Sequence, residues 1–411
     1  MVENYFERPH AVRHCRSACT GPHIDDLAAV LSAEGYSRSA GRSLLRGVAK
    51  LGHWLDAQNV VIAHLDEALV KRFVDDQMSR PGGGRSNSLR RQFWACGRRL
   101  LTWGRERDVV STTAPQRPVA GLICDFEAWM QSHRGSSEKT LQGCYRLPLQ
   151  RFLDAVGQEP LSFDASGIRR FILTESQRAG RGYGKTLATA IRMLLRYLAI
   201  HGLCRPELVD AVPKFACWKL AALPAFLSRE AVDRIVAACD PATVSGRRDR
   251  AMLVLMARLA FRAGEVAELR FADLNWTEAT ITVSGKSRRS VRMPLVQEVG
   301  DALLLWLSDG RSDLEDDHVF LRLYAPHGPL DRTGVSSVVL RAAKRADVSL
   351  PRAGAHVLRH SVATELLNDG MSLPGIGAIL RHRNLDTTTI YAKVDRTLLE
   401  SVARPWPLEV S

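Results

Sequence analysis

An internal duplication sets the frame for any fold of this chain. A segment beginning near His23 carries Gly35-Tyr36-Ser37, Trp54-Leu55-Asp56-Ala57, Lys71-Arg72-Phe73, a Gly82-Gly83-Gly84-Arg85 stretch and Leu100-Leu101-Thr102-Trp103. The same order returns about a hundred residues later. It reads Gly135-Ser136-Ser137, Phe152-Leu153-Asp154-Ala155, Arg169-Arg170-Phe171, Arg181-Gly182-Tyr183-Gly184-Lys185 and Leu194-Leu195-Arg196-Tyr197. Self-similarity of this kind marks a reused structural unit. Within a copy, apolar residues recur at helical intervals, as in Leu187, Ile191, Leu194, Leu195 and Leu198. Two helical domains are therefore expected, over 23–112 and 118–205, after an irregular N-terminal arm, 1–22. Cations such as Lys185, Arg192 and Arg196 fall between the apolar positions. They form either a face for an anionic partner or the solvated side of an ordinary bundle.

Charge favours the first choice. Lysine and arginine number 57 against 44 acids, a formal charge of +13 over 411 residues. A basic surface attracts polyanions and releases counterions from them. Arginine outnumbers lysine, and its planar fork suits phosphate better than mere solubility requires. Eight scattered cysteines fit a reducing compartment rather than a disulfide framework. With no apolar run of about 20 residues and no signal-type start, a cytoplasmic, nucleoid-associated location without a membrane is expected. His10, His14, Cys15, Cys19 and His23 cluster loosely, but their spacing is not that of paired metal ligands, so no metal is expected. Pro206, Pro213 and Pro224 mark a linker over 206–226, and Ser228 is placed to cap the helix that begins at Arg229.

The third segment, 227–411, mixes patterns. Asp249 to Phe261 is apolar and helix-compatible, and a further helix-like run covers Val266 to Arg270. Alternation at Thr280 to Val283 and again from Val291 predicts a hairpin with a basic tip, Gly285-Lys286-Ser287-Arg288-Arg289. His356 and Arg359 stand three apart and share a helix face, with Leu358, Val362, Leu366 and Leu367 on the buried side. Gly370 ends that helix in the left-handed conformation.

The ordered set Arg262, Lys286, His356-x-x-Arg359, His382 and Tyr391 resembles the catalytic constellation of the tyrosine recombinases, or phage integrase family. Phe261-Arg262-Ala263-Gly264-Glu265 is similar to the family's Leu-Arg-x-x-Glu motif. His356-Val357-Leu358-Arg359-His360-Ser361 is similar to its His-x-Leu-Arg-His-Ser motif, and His382 to Tyr391 to its Leu-Gly-His…Thr-Thr-x-x-Tyr motif. Two departures stand out. The glycine before the late histidine is Arg381, which bears on the local turn, and a histidine often found after the nucleophile is Lys393. The duplicated front segment also differs from a plan with one core-binding domain.

The resemblance implies a mainly α, multi-domain fold. Helical core-binding (SAM-like) domains precede an α+β catalytic domain, 227–411, that has a small β-sheet and a C-terminal tail helix. It implies site-specific cleavage and rejoining of double-stranded DNA through a 3′-phosphotyrosyl intermediate with no cofactor. The partners implied are a homotetramer on DNA and accessory recombinases. In this frame Arg262 and Arg359 hold nonbridging oxygens, Lys286 protonates the leaving oxygen and His382 bonds the phosphate. The residue types suit that chemistry. An anionic phosphate gaining charge needs preorganised cations, and a phenol with a pKa of about 10 needs a proton acceptor, for which His356 is the candidate. Lys185, Arg192, Arg196 and Arg288 are candidate DNA contacts. A topoisomerase of type IB and a noncatalytic DNA-binding regulator are the competing readings; the tail helix and the intact set of six argue against them.

Overall fold

The computed structural model describes residues 1–79, 87–111, 121–215, 225–284, 290–311, 315–382, 388 and 391. The hairpin tip with Lys286 and Arg288, the Gly-rich stretch of the first copy, Pro224 and the expected tail helix lie outside the described residues. Within them the chain is mainly helical, with one three-stranded antiparallel sheet. It divides into two compact units, 8–24 with 44–218, and 1–7 with 25–43 and 219–411.

The helical unit displays the duplication. In the first copy the helix Arg38–Ala57, most of which lies in this unit, leads to a 3-10 turn, Ile62–His64, the helix Glu67–Ser79 and the helix Asn87–Glu106. The second copy runs Leu147–Val156, Pro160–Ser162, Ala165–Ala179 and Arg181–Ile200. The third element of each starts the same way. Asp66 accepts the Leu69 N–H at 2.7 Å, and Asp164 accepts those of Ser166 and Gly167 at 2.8 and 2.9 Å. These bonds satisfy N–H groups that a helix start leaves open. The stripe Leu187, Ile191, Leu194, Leu195, Leu198 is fully buried, as its spacing requires. The N-terminus is not an irregular arm. Pro9–Arg16 is helical with proline in its first turn, and Val12 and Cys15 are buried. His14 stacks on His53 at 4.4 Å, and the Cys19 thiol donates to the Gly52 carbonyl.

The other unit is built around the helix Val244–Arg258. Its residues Ala251 to Met256 are all buried, and a helix apolar on every side belongs at a centre. It packs against Gln297–Asp309 and His356–Asn368. Trp306 closes the core and donates its indole N–H to the Val319 carbonyl at 2.9 Å. As expected, Ser228 caps Arg229–Ala237 by accepting the Ala231 N–H. The hairpin is also present. β1 (Leu274–Asn275), β2 (Thr280–Ser284) and β3 (Ser290–Pro294) pair in that order, with Leu274 opposite Ile281 and Ile281 opposite Met293. The helix predicted from Val266 lies instead over Ala263–Ala267. The preceding helix ends at Arg258, with Leu259 as its C-cap, because Ala260 turns left-handed, with φ 53°. That break positions the site.

Candidate active site

Two tight turns and two helix starts converge here. After the left-handed Ala260, Arg262 is the N-cap of Ala263–Ala267. Glu265 accepts the Arg262 backbone N–H at 2.8 Å and its guanidinium at 2.5 Å. The other turn follows Leu373–Ile379, where Arg381 is left-handed at φ 53°. The helical C-terminus that usually takes glycine is thus formed with an arginine, at a cost of about 1–2 kcal/mol. Its side chain folds inward over the Phe261 ring, 5.1 Å from the centroid. It donates to Glu265 at 2.8 Å and to the Ala260 carbonyl at 3.1 Å.

The helix His356–Asn368 supplies three more groups. Arg359 is buried at 5 % exposure. It donates to the Ala260 carbonyl at 2.6 Å and, closely, to the Leu380 carbonyl. Among the described residues no carboxylate pairs with it. Burial, then Arg262 and Arg381, pull its pKa down to about 9, against the pull of Glu265, so at neutral pH it stays a cation with no carboxylate in direct contact. The hydrogen-bonded group holds three guanidiniums, those of Arg262, Arg359 and Arg381, and one carboxylate, Glu265. Burial alone would raise the Glu265 pKa, but Arg381 and Arg262 outweigh it and keep the group ionised. A buried excess of positive charge in low dielectric favours an arriving anion.

Tyr391 is 1 % exposed, and its hydroxyl is 2.8 Å from Nδ1 of His360. Burial pushes the phenol up to about 12, against the pull of Arg359. His360 titrates below its ordinary value, through burial and then the neighbouring His356 and Arg359. A neutral imidazole therefore faces the phenol. His356 opens the same helix on an exposed position. Its pKa is lowered by burial of part of the ring and by Arg359 and Arg262. His382 bonds Thr388 Oγ1 at 2.8 Å through Nδ1, and burial followed by Arg359 brings it down to about 4.

Of the six residues expected from sequence, five are described. Arg262, Arg359, His382 and Tyr391 join one neighbourhood with His356, while Lys286 is outside the described residues. The sequence reading missed His360 as the partner of the phenol, although its place beside Arg359 in the motif was visible. It also gave Glu265 and Arg381 no role, and both organise the guanidiniums. Among the candidate DNA contacts, Lys185 and Arg196 are exposed. Arg192 instead donates to the Val212 and Pro213 carbonyls at 3.3 Å, so it ties the chain that leaves the bundle. Asp316, Asp317 and His318 bring their ligand atoms together. However, His318 bonds Asp316 at 2.6 Å and Arg270 pairs with Asp317. No helix among the described residues is long and apolar enough to cross a membrane.

The sequence profile of the phage integrase family matches residues 225–397. The Sinorhizobium fredii protein y4rA, which carries the name integrase/recombinase, is 31% identical over 94% of this chain and 94% of its own. Its namesake y4rF from the same organism is 30% identical over 99% and 96%. In fold, the chain is similar to the XerH site-specific recombinase bound to palindromic difH substrate. The TM-score is 0.54 at 18% identity, covering 82% of this chain and 94% of that one.

Proposed function

Because this chain belongs to the phage integrase family and is a tyrosine recombinase acting on DNA, we propose that Tyr391 is the nucleophile and that the enzyme serves integration or transposition of a mobile element. The observation that carries this reading is the carboxylate-poor cluster of half-exposed Arg262 with the buried guanidiniums of Arg359 and Arg381, set beside the Tyr391 phenol. Such a cluster suits an anionic phosphate that gains charge as it is attacked. Arg262 and Arg359 hold the nonbridging oxygens, with planar forks that give two bonds each. The Tyr391 oxygen bonds to phosphorus as the bond from phosphorus to the 5′ oxygen breaks. The departing oxygen takes a proton from Lys286, and His382 bonds the phosphate. Rejoining is the reverse, with the 5′ hydroxyl attacking the 3′-phosphotyrosine, so the bond is conserved without an energy source. Exchange between two sites takes four strand cuts, so a homotetramer on duplex DNA is the working form.

A second reading of one step is favoured by geometry. His360, rather than His356, receives the phenol proton, because its Nδ1 already lies 2.8 Å from the hydroxyl and is neutral near pH 7. Both readings meet one experiment. A nicked suicide duplex drawn from DNA flanking the coding region should trap a denaturation-resistant adduct with the native chain and none with Tyr391→Phe. Adduct formation by the phenylalanine variant would end the proposal. In the same assay His360→Asn should slow trapping by about 10²- to 10⁴-fold, the range for a lost general base. A larger effect from His356→Asn would return the role to His356.

A further inference from the structure

The duplication makes the first helical copy a candidate for the same work as the second. In Asn87–Glu106 and Arg181–Ile200, aligned on Leu100-Leu101 and Leu194-Leu195, the buried positions coincide. Phe93, Cys96, Leu100 and Trp103 fall on Leu187, Ala190, Leu194 and Tyr197, and all are buried. The alignment puts cations on cations, with Arg91 on Lys185 and Arg98 on Arg192. Burial in register means the outward faces also correspond.

The outward face of the first copy carries three cations, Arg90, Arg91 and Arg98, as its counterpart does with Arg181, Lys185 and Arg192. Asn87, Arg90, Arg91, Trp94, Ala95 and Arg98 line a groove of about 470 Å³ along one side of the helix. Arg91 and Arg98 are exposed and form no ion pair among the described residues, whereas Arg192 in the second copy is committed to two carbonyls. The Arg98 guanidinium lies 5.6 Å from the centroid of the Trp94 ring, which restrains it without neutralising it. Arg90 pairs with Asp75 at 3.0 Å, but both groups are exposed, and such a pair is weak enough to give way to a phosphate. Two turns separate Arg91 from Arg98, about 10 Å along the axis, and every charged group lining the groove is cationic.

We propose that this face of Asn87–Glu106 is a second DNA-binding surface, gripping the backbone of a duplex through Arg91 and Arg98 with Trp94 as the platform for Arg98. The inference rests on the reading that the chain acts on duplex DNA. It adds that the extra helical copy holds phosphates in its own right. Because both arginines are exposed and outside the core, their removal leaves folding intact.

The test is a salt titration of binding by the full chain to a 50-base-pair duplex of arbitrary sequence, followed by anisotropy. The variant Arg91→Ser/Arg98→Ser should bind more weakly. The slope of log affinity against log salt should fall by about 1.8, since each phosphate contact contributes about 0.9. Arg91→Lys/Arg98→Lys, which keeps the charges, should hold most of that slope. Equal affinity and slope for the native chain and the serine variant would overturn this proposal and leave the recombinase reading standing. Failure of the native chain to bind the duplex at all would sink both. A slope change seen only with single-stranded DNA would also overturn the assignment to a duplex.

Discussion

Arg381 occupies a left-handed position, buries its guanidinium and shares an acceptor with each of the other two arginines: Glu265 with Arg262, and the Ala260 carbonyl with Arg359. Replacing it by the glycine of the resembled motif would relieve about 1–2 kcal/mol of backbone strain. It would also remove the bonds to Glu265 and to the Ala260 carbonyl, each worth about 1.5–3 kcal/mol, and leave the Glu265 carboxylate with one guanidinium instead of two. The second effect is larger. Arg381→Gly should therefore lower the thermal midpoint and reduce trapping on the suicide duplex at least about tenfold, with Arg381→Lys intermediate. A glycine variant that is both more stable and fully active would mean that the arginine is merely tolerated. Nothing in the one-dimensional pattern distinguished these outcomes. The turn at 381 was readable as a departure, but the side chain's inward course depends on Glu265, 116 residues earlier.

At the level of helices and turns, the helical copies stand on close backbone approaches. A Cβ placed on Gly97, in the Asn87–Glu106 helix, would lie 2.4 Å from a methyl of Val70 on Glu67–Ser79. Gly97→Ala should cost about 1–3 kcal/mol through overpacking, read as a fall in the thermal midpoint. Val70→Ala in that background should recover part of the loss. An additive double variant would show that the two helices are not pressed together at this point. Helix content, the Ser228 cap, the hairpin and the left-handed Gly370 at φ 84° were legible in advance, because each depends on residues close in sequence. The shift of the short helix to Ala263–Ala267 was not. Its start is set by Glu265 reaching back to the Arg262 N–H after a left-handed alanine, and propensity places no such turn at alanine.

For the protein as a whole, acid is the informative variable. His356, His360 and His382 all titrate below the ordinary value of 6.5 in the same unit. A base whose folded pKa is depressed supports the fold above its unfolded pKa. That support is lost as pH falls, because the unfolded chain binds protons that the folded one refuses. For His382 the window runs from 6.5 down to about 4. The thermal midpoint of the catalytic unit should thus decline between pH 7 and 5, and the decline should be shallower in His382→Asn. An identical pH dependence for the native chain and that variant would contradict the assigned burial.

The mainly helical class, the duplication, the net positive charge and the order of chemically competent residues were all present in the bare string of amino acids. Periodicity, composition and short motifs are properties of neighbouring positions. Three-dimensional packing was needed to establish that His360 faces the phenol, that Arg192 is tied to carbonyls, and that Glu265 and Arg381 join Arg262 and Arg359 in one hydrogen-bonded cluster. Hydrogen bonding and burial act over a few ångströms in space. Here they connect groups such as Ala260 and Arg359, 99 positions apart along the chain, and no local pattern encodes that meeting.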